Sequence, residues 1–108
     1  MLAGPAPAPG LPPRQGIVLT VLWEARRPLT AAQISTRLPT PGTGHALSQL
    51  RAAGLVTATR KGHTHRYQAV LSRDDYLAGL VAAALDQAGD PAAVLRTALN
   101  TPPSRAHE

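Results

Sequence analysis

The spacing of apolar residues switches from one period to another midway along this chain and then back, and that switch limits the fold more than any other feature. Before Gly54 the apolar residues recur at intervals of three and four; from Leu55 to Val70 they alternate. The first pattern belongs to amphipathic helices and the second to strands. Ile17, Leu19, Val21 and Leu22, with Trp23 beside them, place a first helix over Gln15–Arg26, stopped by Pro28. Thr30 and Gln33 make a capping box that opens a short second helix carrying Ala31, Ile34 and Leu38. Pro39-Thr40-Pro41-Gly42 breaks that helix. A third, from Pro41 or Thr43 to Ala53, turns Ala46, Leu47 and Leu50 inward and ends at Gly54. Leu55–Arg60 and Thr64–Val70 then form a hairpin through Lys61-Gly62-His63, with Val56, Ala58, Tyr67 and Ala69 as its packed positions.

Two further helices follow. Ser72 and Asp75 form a second capping box, and Leu77, Leu80, Val81, Ala84, Leu85 and Ala88 continue at helical spacing. Asp90-Pro91 opens the last helix, which carries Val94, Leu95, Ala98 and Leu99. The fold class expected is mostly α with a small β hairpin: a winged helix-turn-helix followed by C-terminal dimerisation helices. Residues 1–13, rich in Pro, Ala and Gly, read as a disordered lead-in, and residues 101–108 as a flexible tail. The intervening organisation is a winged domain over 14–71 and a dimerisation segment over 72–100.

In that arrangement the helix after the turn enters the major groove and the hairpin, or wing, lies along the backbone. The charge fits. Residues 14–73 hold nine basic side chains against Glu24 alone, a net of +8, while residues 74–108 net −3. A sequence pI of about 11.1 is the electrostatic footprint of a nucleic-acid binder. The expected DNA contacts are Thr43, His45, Ser48, Gln49 and Arg51 on the third helix and Arg60, Lys61, His63 and Arg66 on the wing. The expected dimer seam is Tyr76, Leu77, Leu80, Val81, Ala84, Leu85, Val94, Leu95 and Leu99, a stripe too apolar to leave in water.

The sequence excludes several classes. With no cysteine there are no disulfides, Fe–S clusters or thiolate metal sites. His63 and His65 share a strand face, but no carboxylate lies near them in sequence, so no metal or other cofactor is expected. No nucleophile, paired carboxylates or phosphate loop points to an enzyme. No apolar run is long enough to span a membrane, and Met1–Pro13 lacks the charged start of a secretory signal. A cytoplasmic location is therefore expected. The expected partners are double-stranded DNA, a second copy of the chain, and an inducer or sensor protein of unidentified kind. One alternative stands beside this reading: a winged-helix protein-interaction module without sequence-specific DNA binding, favoured by Gly42, Gly44 and the neutral Gln49.

Several segments are similar to one known family. Leu22-Trp23-Glu24 followed by Arg-Pro-Leu-Thr-Ala-Ala-Gln-Ile resembles the opening motif of the penicillinase repressors (the BlaI/MecI family). Leu50-Arg51-Ala52-Ala53-Gly54-Leu55-Val56 resembles the end of their recognition helix. Lys61-Gly62-His63-Thr64-His65-Arg66-Tyr67 resembles their wing. Leu71-Ser72-Arg73-Asp74-Asp75-Tyr76-Leu77 resembles the start of their dimerisation region, and its combination with the opening and wing motifs is more specific than those motifs alone. The resemblance covers roughly residues 14–100 and implies a dimeric transcriptional repressor on a palindromic operator. The chain departs from the family at Gln49, where arginine is usual. It has no Phe, its only Asn is Asn100, and it has no Cys. The resemblance therefore does not extend to the family's Asn–Phe cleavage switch or to the C-terminal cysteines of its copper-responsive branch.

Overall fold

The computed structural model describes residues 5–38 and 41–100. They divide into two compact units, one ending at Asp74 and the other beginning at Asp75. The elements run α1 (Pro13–Ala25), β1 (Leu29–Thr30), α2 (Ala31–Ser35), α3 (Thr43–Ala52), β2 (Val56–Lys61), β3 (Thr64–Ala69), α4 (Arg73–Asp86) and α5 (Pro91–Asn100). This is the mostly helical winged architecture expected from the sequence, with one addition. The short β1 joins the hairpin as a third antiparallel strand, in the order β1-β3-β2. Leu29 faces Tyr67 and Thr30 faces Arg66 across that pairing.

The core of the first unit is aliphatic because the chain has no Phe and only three other aromatic residues. Val18, Leu19, Val21 and Leu22 of α1 are buried, as are Leu29, Ile34, Ala46, Leu47, Leu50 and Val56. Each leucine or isoleucine so buried contributes about 1.5–3 kcal/mol relative to exposure. α1 packs against α2, α3 and β3, so it is buried on more than one side. Pro13 at its first position supplies a preset φ and lacks an N–H that would go unpaired. It ends at Arg26, which takes the left-handed conformation at φ 58°. The Thr30–Gln33 capping box forms in both directions: Gln33 N donates to Thr30 Oγ1 and Thr30 N to Gln33 Oε1.

The lead-in departs from expectation. Residues 5–12 lie against α1 as a strap. Ala8 is buried, its amide donates to Gly16 O at 3.1 Å, and Thr20 Oγ1 donates to Ala6 O at 2.6 Å. The crossing depends on Gly16, where a Cβ would stand 2.7 Å from Ala8 O and 2.8 Å from Ala8 N. Composition alone misleads here, because a proline-rich segment with few donors still docks when the helix offers a bare backbone. Met1–Gly4 of the lead-in and the whole 101–108 tail lie outside the described residues.

In the second unit, α5 opens as expected: Asp90 Oδ1 accepts from Ala93 N at 3.1 Å and Pro91 takes the first helical position. α5 buries none of its residues.

Candidate nucleic-acid interface

α3 starts where the turn after α2 ends. Gly42 caps it in the left-handed region at φ 113°, a conformation that costs an L side chain energy. Only Gly44 of the glycine pair therefore lies within the helix. Thr43 is 5 % exposed, and its hydroxyl accepts from Ser35 Oγ at 2.8 Å, pinning the start of α3 to the end of α2. Thr43, expected among the DNA contacts, thus lies on the inward side of α3. Its helical phase carries the reason: Thr43 stands three and four residues before Ala46 and Leu47 and shares their inward face.

The outward face is polar and continuous. His45, Ser48, Gln49 and Ala52 are all exposed at i, i+3, i+4 and i+7. Gln49 Nε2 lies 3.5 Å from His45 Nε2, so the two side chains stand together along the helix. Ser48 and Gln49 each carry both a donor and an acceptor for a base edge, and Gln can pair bidentately with adenine. Arg51 is exposed in the last turn, where its charge also complements the helix dipole.

A residue absent from the sequence reading joins this face. The Arg14 side chain lies over Gly42: a Cβ there would stand 2.8 Å from Arg14 Cδ and 2.9 Å from its Nε. An exposed cation is thereby held at the start of α3. The only sequence signal was a lone arginine at the head of α1, because the contact spans 28 positions.

The wing turns through two residues, Gly62 and His63, between the facing Lys61 and Thr64. Gly62 has φ 66°, as the first central residue of such a tight turn requires. The register splits the wing's charges between two faces of the ribbon. Arg60 pairs with His65 and extends the side that carries Val56, Ala58, Tyr67 and Ala69. Lys61 and Arg66 lie on the other side with Thr57 and Thr59. Arg60 Nε donates to Gly62 O at 2.9 Å, which ties that guanidinium to the turn and leaves its four terminal N–H donors free for phosphate. His63 is exposed at the tip. Among the described residues no group of three His, Cys, Asp or Glu could hold a metal ion.

The family model of the penicillinase repressors matches residues 12–104. The chain belongs to the penicillinase repressor family. Members of this family are DNA-binding transcriptional repressors rather than enzymes. No curated protein matches the chain. The match begins at Pro12, so the strap over residues 5–11 precedes the part shared with the penicillinase repressors. None of the helices described is long and apolar enough to cross a membrane.

The residues expected in the dimer seam divide by exposure. Val81 is 52 % exposed, Val94 and Leu95 are each 44 %, and Leu99 is 78 %. Ala84 is also exposed, and Leu77, Leu80 and Leu85 are half-buried. Tyr76, also expected in the seam, is 7 % exposed in the single chain. Burial pushes its phenol above the ordinary value of 10.0. Along α5, Ala93, Val94, Thr97 and Ala98 line an open, mainly apolar hollow of about 420 Å³.

Proposed function

We propose that this penicillinase repressor family member represses transcription as a two-fold dimer that occupies a palindromic operator. The observation that carries the reading is the exposed row His45, Ser48 and Gln49 on α3, flanked by Arg14 at the helix start and by the basic wing. On this reading α3 meets base edges, while Arg14, Arg51, Arg60, Lys61 and Arg66 meet phosphates; base contacts specify the site and phosphate contacts fix the register. The exposed Val81, Val94, Leu95 and Leu99 supply the seam between copies.

The test is capture of fragmented genomic DNA by the purified protein at low and physiological salt, with Arg60→Ala/Lys61→Ala beside the wild type. Enrichment of a two-fold-symmetric site that survives the higher salt is expected. The double variant should weaken binding to all sequences similarly and flatten the salt dependence by about one unit of slope per lost phosphate contact. Uniform, salt-sensitive enrichment by the wild type would overturn operator recognition. It would bring forward the protein-interaction reading, to which the small Gly44 and neutral Gln49, both exposed on α3, are suited.

A further inference from the structure

Where α1 ends, the surface of the first unit is hollowed beside Trp23. One hollow, of about 220 Å³, is lined by Leu22, Trp23, Val70 and Leu71 together with Arg26 and Arg27. The adjoining one shares Trp23 and Arg26 and adds Arg73 and Asp74. The Trp23 indole N–H donates to Leu71 O at 2.9 Å, which fixes the ring against the segment between β3 and α4. Val70 and Leu71 stay 51 % and 42 % exposed. The place therefore combines an aromatic ring, exposed aliphatic surface and several arginines.

The charges there are unevenly satisfied. Arg73 lies 5.5 Å from the Trp23 ring centroid and 3.8 Å from a Glu24 carboxylate oxygen. Arg26 and Arg27 pair with no carboxylate among the described residues. DNA does not account for them on the docking geometry proposed above. The hairpin meets DNA at its tip, whereas this hollow is built at the other end of β3, at Gln68 and Ala69. Five steps along the strand separate Thr64 from Ala69, roughly 17 Å.

We infer that this hollow binds a small organic carboxylate with a planar or branched apolar body. A guanidinium fork matches a carboxylate in a planar, bidentate way, and charge-assisted bonds of this kind are the strong ones. Trp23, Val70 and Leu71 take the apolar body. An open hollow of about 220 Å³ suits a small ligand, since pockets that hold drug-sized ligands enclose roughly 300–1,000 Å³.

Trp23 is the only tryptophan in the chain, so it reports on the hollow directly. The full-length protein is titrated at constant ionic strength and pH 7 with benzoate, with its neutral isostere benzamide, and with inorganic phosphate. Fluorescence and the single indole N–H resonance are both followed. Benzoate should give a saturable change with a Kd on the order of 1 mM, the range open to so small a ligand in an open hollow. Benzamide and phosphate should give none in the same range. Arg27→Ala should weaken the benzoate response about tenfold or more. Arg26→Asn should do the same while tolerating the left-handed backbone at that position. Both variants should retain wild-type melting and DNA binding. Silence of both probes with benzoate would overturn the inference. So would equal responses to benzamide or phosphate, or variants that titrate like the wild type. The site makes no use of the DNA-contacting residues, so its failure would leave the repressor reading standing.

Discussion

Gly16 and Gly44 both lie near the start of a helix, and they should respond oppositely to an added methyl group. At Gly44 nothing stands within 4 Å of a new Cβ, so Gly44→Ala should raise stability by about 0.5–1 kcal/mol through helix propensity. At Gly16 the same methyl meets the Ala8 backbone, which has no flexible end to move aside. Gly16→Ala should destabilise by about 1–2 kcal/mol despite the propensity gain and lower Tm by roughly 5–10 °C. Thermal melts of the pair decide it; a Gly16→Ala protein as stable as wild type would mean the strap is not packed on α1. Tyr76 gives a second test. Burial raises its folded pKa above 10.0, so its contribution to stability is fully present below pH 10 and is lost as pH rises through the folded value. Denaturant midpoints between about pH 9 and pH 11 should fall less steeply in Tyr76→Phe than in the wild type. Parallel slopes would contradict the assignment.

Among the elements, the wing depends on a two-residue turn that holds Gly62 at positive φ. Gly62→Ala should cost about 1 kcal/mol and loosen the tie between Arg60 and the Gly62 carbonyl. DNA affinity should drop several-fold without a change in preferred sequence, as read by titration of specific and random duplexes; a change in preference would mean the wing reads bases. The element order was legible in the sequence because α1, α3 and the hairpin each repeat their period long enough to be recognised. β1 was not, since two residues carry no period and Leu29–Thr30 becomes a strand only because Tyr67 and Arg66 lie beside it. The α3 face was half legible: His45, Ser48 and Gln49 follow from phase. The burial of Thr43 follows from phase as well, since it stands three and four residues before Ala46 and Leu47. The Arg14 contact with Gly42 and the docking of Ala8 on Gly16 are tertiary events without a local signature.

Across the whole molecule, basic charge and most of the apolar exposure fall in different parts of the chain; Val70 and Leu71 are the exposed large aliphatics on the basic side among the described residues. The basic residues concentrate before Asp74, and the exposed Val81, Val94, Leu95 and Leu99 all come after it. The acidic excess of residues 74–108 disfavours contact between that segment and phosphate, leaving its apolar side chains for protein. Leu95→Asp, which puts a charge into the proposed seam, should give monomers at micromolar concentration in sedimentation equilibrium. Its operator affinity should fall by 10²-fold or more as the two reading heads lose their linkage. A dimer that persists in Leu95→Asp and in Leu80→Asp would place the seam elsewhere.

The strap described over residues 5–12 also sets how the molecule would yield under tension. Bonds to α1 join Ala6 to Thr20 and Ala8 to Gly16, so the segment runs opposite to the helix. A pull applied at Pro5 would load these bonds in succession, Ala6–Thr20 first, rather than both at once. The strap would peel away at low force before α1 bore any load, and the core residues of α1 would feel the pull only after Pro12 had come free.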